Sequence, residues 1–168
     1  DMVFACNDIR PSFIRTESDE ATYNLHVLLR FELEQALLTG DLSVGDLPGA
    51  WDEKMQTYLG VTPPKISLGC LQDVHWSAGL IGYFPTYTLG NLYASQFFVQ
   101  AEKDLGDLHA MFSRGDFAPL LGWLREKIHH QGRRHSARDL CKSITGSDLS
   151  AGPLLDHLRA KAAKFYGV

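Results

Sequence analysis

Residues 69–98 read GCLQDVHWSAGLIGYFPTYTLGNLYASQFF, and this stretch decides how the chain is read. Gln72, Asp73 and His75 sit almost side by side, and Trp76 follows at once. Next comes the glycine-punctuated Gly79-Leu80-Ile81-Gly82, then Tyr83, Phe84, Pro85 and Tyr87. Gly90-Asn91 leads into an aromatic run that ends at Phe97-Phe98. A core helix avoids so many glycines, since each costs about 1 kcal/mol against alanine. A plain surface loop avoids so many aromatics. Polar groups converging on aromatic walls predict a binding pocket.

Outward from it, the chain reads as helices. A long helix is expected over about residues 18–38, with Leu25, Leu28, Leu29, Leu33, Ala36 and Leu37 near helical spacing. Ser18 or Thr16 can cap it, and Glu17, Asp19 and Glu20 suit the positive end of its dipole. Pro48 opens a second helix through Trp51, Met55 and Tyr58, stopped at Gly60. Helices follow over about 88–104, 105–112 and 117–130, the last carrying the row Leu120, Leu124, Ile128. Ser136 caps another through Leu140 and Ile144. The final one has Pro153 in its first turn and an inner row of Leu154, Leu158, Ala162 and Phe165. Residues 1–17 read as irregular. No segment alternates with period two, so the expected fold is all-α and bundle-like, one helical unit over residues 1–168.

Composition bounds the function. The chain has 168 residues, 45% hydrophobic, with a formal net charge of −4. Slight acidity argues against nucleic acid, which calls for a basic stripe. No apolar run approaches the roughly 18 residues of a membrane span. Cys6, Cys70 and Cys141 are unclustered and read as reduced thiols, hence a cytoplasmic protein. The opening Asp1-Met2-Val3-Phe4 carries no signal-peptide pattern and reads as the middle of a longer chain.

Two motifs carry a family resemblance. Gly69, Gln72, Asp73, His75 and Trp76 complete the pattern G-x-x-Q-D-x-H-W. Ile14, Arg15 and Asp19 follow I-R-x-x-A-D, with Ser18 in place of the alanine. Together with residues 22–61 they make the chain resemble the M32 metallocarboxypeptidases from about Ile9 to its end. The resemblance implies an all-α zinc peptidase that removes single amino acids from peptide C-termini and works as a homodimer. Its zinc motif, H-E-x-x-H, is not found among the seven histidines His26, His75, His109, His129, His130, His135 and His157. The H-P-F and D-x-R-x-T patterns are absent as well. The expectation is therefore the C-terminal third of such an enzyme. Zinc, or another divalent metal, and the glutamate that activates its water would come from the missing N-terminal part, with no metal ligand in this chain.

The residues take roles accordingly. His75 can stabilise the oxyanion formed when a peptide carbonyl is attacked, with Tyr87 or Tyr83 as a second donor. Arg15 can recognise the substrate's free carboxylate, with Arg10 and Arg30 as rivals; an ordinary ion pair to Asp19 is its other reading. Gln72 and Asp73 are candidates for the substrate-binding set. Each also has a structural reading, Asp73 as a helix cap or as partner to a distant cation. Three functions compete: the substrate-binding part of a zinc carboxypeptidase, a non-catalytic remnant kept for binding or assembly, and a self-contained enzyme. The third is the weakest, because His75 has no evident nucleophile beside it.

Overall fold

The structure is a computed structural model that describes residues 2–168. Among them it is all-α, with no strand. Eight α-helices follow in order: α1 Met2–Ala5, α2 Glu20–Thr39, α3 Leu47–Leu59, α4 Pro85–Leu105, α5 Leu108–Ser113, α6 Ala118–Lys127, α7 Ala137–Thr145 and α8 Gly152–Tyr166. Short 3-10 turns stand at Arg15–Glu17, Ile66–Leu68 and His129–Gln131. No helix is long and apolar enough to cross a membrane among the described residues.

Several helix ends differ from those expected. The cap of α2 is Asp19, whose carboxylate accepts from the Ala21 and Thr22 amides, and neither Ser18 nor Thr16 serves. Asp19 also accepts from the Arg10 amide, and the alternative pair with Arg15 does not form, since that guanidinium turns to Asp73 and Tyr23. Helix α4 starts at Pro85 instead of residue 88, because proline's fixed φ and missing N–H suit a first turn. That places Tyr87 inside the first turn of a rigid helix. Helix α6 stops at Lys127, short of residue 130. The segment read as irregular contains the single turn α1.

The contacts divide the chain into two units. The first runs to Leu89 and takes in residues 162–168. Its core is the packing of α2 on α3: Leu29 and Leu33 meet Leu47, Trp51, Met55 and Leu59, with Cys70 beside them. Leu25 and Leu37 flank this core half-buried, whereas Leu28 points away and is exposed. The Tyr166 hydroxyl accepts from the Ile9 amide at 2.6 Å and so ties the last helix to the N-terminal segment.

The second unit covers Gly90–Lys161. Ala101, Leu108 and Trp123 form its core, with Leu120, Leu124 and Ile128 against them as the spacing predicted. The Trp123 indole donates to Asp104 at 2.8 Å. Gln96 is buried and fully used, donating to Thr145, Ser147 and the Asp148 carbonyl and accepting from the Ser150 amide.

Because Asp19 satisfies two otherwise free amides of α2, Asp19→Ala should destabilise the protein by about 1 kcal/mol in urea unfolding. Asp19→Asn, which keeps an acceptor, should recover most of that loss.

Candidate active site

The site is built on one helix. His26, Arg30 and Glu34 recur every four residues along α2, so they stack on one face, one turn apart. All three are buried. Leu29 and Leu33 lie beside this row and face α3, so α2 has an apolar side and a polar side that are both covered.

Arg30 and Glu34 of this row hold the segment between Gly69 and Pro85, which is a chain of turns with no α-helix. Asp73 provides the main tie. Its Oδ2 accepts from Arg30 Nε at 2.6 Å, and its Oδ1 accepts from Arg15 Nη2 at 2.8 Å and Nε at 3.2 Å. The three side chains are 0%, 7% and 11% exposed for Arg30, Arg15 and Asp73. Burial alone would raise the Asp73 carboxyl, but the Arg30 charge and the hydrogen bonds from both arginines outweigh it and hold it below its usual range. Burial pushes Arg30 down to about 10, against the pull of Asp73. Arg15 is also opposed by burial, yet Asp73 and Tyr23 leave it above its ordinary value. Burial, followed by the charges of Arg30 and Arg15, brings His26 to about 4 and so keeps its imidazole neutral.

Gln72 is occupied by the backbone. Its Oε1 accepts from the Arg15 amide, and its Nε2 donates to the carbonyls of Phe13 and Leu68. The whole I-R-x-x-A-D turn is thereby pinned to the second motif. Glu34 takes the far end of the segment, accepting from the Trp76 indole at 2.8 Å and the Gly82 amide at 2.7 Å.

Between these ties stands His75. Its Nε2 lies 3.0 Å from the Tyr87 hydroxyl. Its Nδ1 is buried without a hydrogen-bond partner among the described residues, 3.8 Å from Asp73 Oδ1. The ring packs 4.4 Å from Phe84, 5.5 Å from Tyr83 and 5.8 Å from Tyr87, centroid to centroid. The Arg15 guanidinium sits 4.8 Å over the Tyr87 ring. Its Nη1 donates to the Tyr23 hydroxyl at 3.0 Å. Aromatic faces stabilise a cation in this position.

Arg15, Gln72, Asp73, His75, Tyr83 and Tyr87 thus all meet in the first unit. Both tyrosines border His75, and the hydrogen bond singles out Tyr87. Of the rival arginines, Arg10 is exposed and paired with Asp8, and Arg30 is completely enclosed. Sequence reading missed His26, Glu34 and Tyr23. The signal for the first two was the polar i, i+4, i+8 row inside a leucine-rich helix. Among the described residues no group of three or more His, Cys, Asp or Glu could hold a metal ion.

Comparison with known proteins identifies the family. The carboxypeptidase Taq (M32) metallopeptidase family matches residues 1–162. The chain belongs to that family. It is 54% identical over 167 residues to thermostable carboxypeptidase 1 of Thermus thermophilus, a match covering 99% of this chain and 33% of that protein. To carboxypeptidase 1 of Bacillus subtilis it is 45% identical over 166 residues, with 99% and 33% covered. Among solved structures it is similar to an M32 carboxypeptidase from Deinococcus radiodurans R1, with TM-score 0.95, 47% identity, and 98% and 33% covered. The chain spans about a third of the length of the curated relatives it matches.

Asp73→Asn should cost about 3–5 kcal/mol in denaturant unfolding, because two enclosed guanidinium groups lose the carboxylate they share. His26 should set a pH dependence. An unfolded histidine protonates near about 6.5, the folded one near about 4, so between these values the unfolded chain binds the extra proton. Stability should be full above about pH 6.5 and fall as the pH drops towards 4. His26→Gln should flatten the slope in that window.

Proposed function

We propose that this chain is the C-terminal portion of a metallocarboxypeptidase that removes single amino acids from peptide C-termini. In this reading it supplies substrate-carboxylate binding and transition-state stabilisation. The observation that carries the reading is the His75–Tyr87 contact of 3.0 Å with the Arg15 guanidinium 4.8 Å over the same tyrosine ring. A carbonyl-stabilising pair and a carboxylate-binding cation belong side by side in an enzyme that cuts next to a free carboxylate.

Arg15 has the valence for this task. Its Nε and one N–H each of Nη1 and Nη2 are engaged by Asp73 and Tyr23. One N–H therefore remains on each terminal nitrogen, so two donors are left for a carboxylate. Asp73 and Gln72 take part by fixing that guanidinium and the turn that bears it. Negative charge develops on the peptide carbonyl oxygen as it is attacked, and preorganised donors are worth most at that moment. The His75–Tyr87 hydrogen bond pre-orients both groups, so that either can turn a proton to that oxygen. Tyr83, across both rings, is the alternative donor.

The residues described do not fit a metal site. We assign the family's metal, zinc or another divalent ion, to the further length that the relatives carry, as the N-terminal part of the same enzyme. A homodimer in the cytoplasm completes the proposal, the latter supported by three free cysteines.

The test is steady-state kinetics on the complete enzyme. His75→Ala and Tyr87→Phe should each lower kcat about a hundredfold or more with little change in KM or metal content. The double variant should be less than multiplicative, since one hydrogen bond couples the pair. Arg15→Ala should raise KM strongly. It should also cost stability, because the arginine is a buried ion-pair member. The 168-residue chain alone, given zinc, should release no amino acids. Wild-type kcat in Tyr87→Phe with a crippled Tyr83→Phe would transfer the role to Tyr83. Unfolding or metal loss in His75→Ala would make that histidine structural and overturn the catalytic reading.

A further inference from the structure

We propose that Glu34 is a positioning residue for catalysis: its carboxylate clamps the loop that carries His75 and Tyr83 by holding that loop at two points, the Trp76 indole and the Gly82 amide. This rests on the catalytic reading above and adds to it a residue outside both sequence motifs.

The argument starts from what else braces the loop. Residues 74–80 close on themselves through turn hydrogen bonds, including Leu80 N to His75 O at 2.8 Å and Gly79 N to Trp76 O at 3.0 Å. The tip beyond is not held by burial, since Leu80 and Ile81 are 42% and 51% exposed. Gly79 and Gly82 flank that tip with φ of +73° and +74°, in the region open to glycine, and no atom lies within 4 Å of where a Cβ would stand. Two permissive hinges therefore bound an unburied tip. The Gly82 N–H leaves the loop and meets Glu34 Oε1 at 2.7 Å, while Trp76 Nε1 meets Oε2 at 2.8 Å.

Those two anchor points bracket the chemistry. His75 precedes Trp76 directly, and Tyr83 follows Gly82 directly. The Trp76 ring is itself edge-on to Phe84 at 5.7 Å, and Phe84 stacks on His75 at 4.4 Å. A shift at either anchor is passed to the His75 ring through these contacts.

The residue type agrees with the role. Glu34 is 4% exposed, and enclosing a carboxylate is costly unless its lone pairs are filled. Here the two N–H donors meet different oxygens of the carboxylate. Glutamine offers one, and its NH2 opposes the second donor. An apolar side chain offers none.

The test uses the complete enzyme carrying this segment, with Glu34→Gln as the variant. Two readouts are taken: hydrogen exchange of residues 74–84, and kcat with KM and metal content. We expect faster exchange confined to that loop and kcat lowered about ten- to a hundredfold, with KM changed less than threefold and metal retained. Trp76→Phe removes one donor and should give a smaller loss of the same kind. Combined with Glu34→Gln it should add less than its own factor. Unchanged loop exchange in Glu34→Gln overturns the clamp. Faster exchange with wild-type kcat shows that the loop is held by Glu34 but takes no part in the reaction, which overturns the catalytic reading and the positioning role with it. If Glu34→Gln does not fold, Trp76→Phe decides on the same two readouts. Wild-type values for both readouts there overturn the proposal.

Discussion

One carboxylate, Asp73, holds the site segment against the helix beneath it. Its two oxygens divide between Arg30 on α2 and Arg15 in the turn ahead of α2. Apolar packing anchors the ends of the segment, at Cys70, Trp76 and Phe84, but beside Asp73 itself Leu71 and Val74 are 64% and 70% exposed. Charge sets the position, and charge is demanding about geometry. An enclosed ion pair contributes little net stability after desolvation, but removing one member leaves an uncompensated charge. The arrangement is therefore better understood as fixing a conformation than as strengthening the fold.

Stability comes from elsewhere on the same helix. Leu29 and Leu33 bury against Trp51, Met55 and Leu59 of α3 with almost no exposure. Burying a side chain of that size contributes roughly 1.5–3 kcal/mol. This ordinary core carries the cost of desolvating Arg30, whose guanidinium lies 4.5 Å over the Trp51 ring at the seam between the apolar and polar sides of α2. Trp51 thus serves both sides, packing into the core and facing the cation. The aromatic surround of Arg15, from Tyr23, Phe84 and Tyr87, continues the same design outward. Low-dielectric walls of this kind strengthen each hydrogen bond they enclose.

Much of this was legible in the sequence. The helical class followed from apolar spacing, and the later rows such as Leu120, Leu124 and Ile128 lie where periodicity put them. The two motifs marked the residues that meet around His75. Periodicity was misleading on α2, where it counted Leu28 as inward. The inner face there is shared by a leucine row and a polar row, and a pattern built on hydrophobicity sees only the first. The Ser136 cap of α7 was read correctly, but the α2 cap was placed too early, since Ser18, Thr16 and Asp19 are all competent and the backbone turn at Arg15–Glu17 selects among them. The partner of Asp73 was beyond reach for a different reason. A contact between Arg30 and Asp73 spans 43 positions, and no local rule encodes it.

The two ties between α2 and the site segment share a rigid ruler. Arg30 and Glu34 stand one helical turn apart, about 6 Å along the axis. Asp73 is bound at the first and Trp76 with Gly82 at the second. The spacing of the loop's anchor points is therefore inherited from helix geometry, and His75 is suspended between them. A loop alone, bounded by Gly79 and Gly82, has too much conformational freedom to hold an imidazole opposite the Tyr87 hydroxyl. A helix alone carries side chains at fixed intervals but cannot wrap a histidine around to face the first turn of α4. Pinning the loop to successive turns of α2 gives the loop the precision of the helix and retains its reach. It also fits the burial of Arg30 and Glu34, each of which holds a point on that loop.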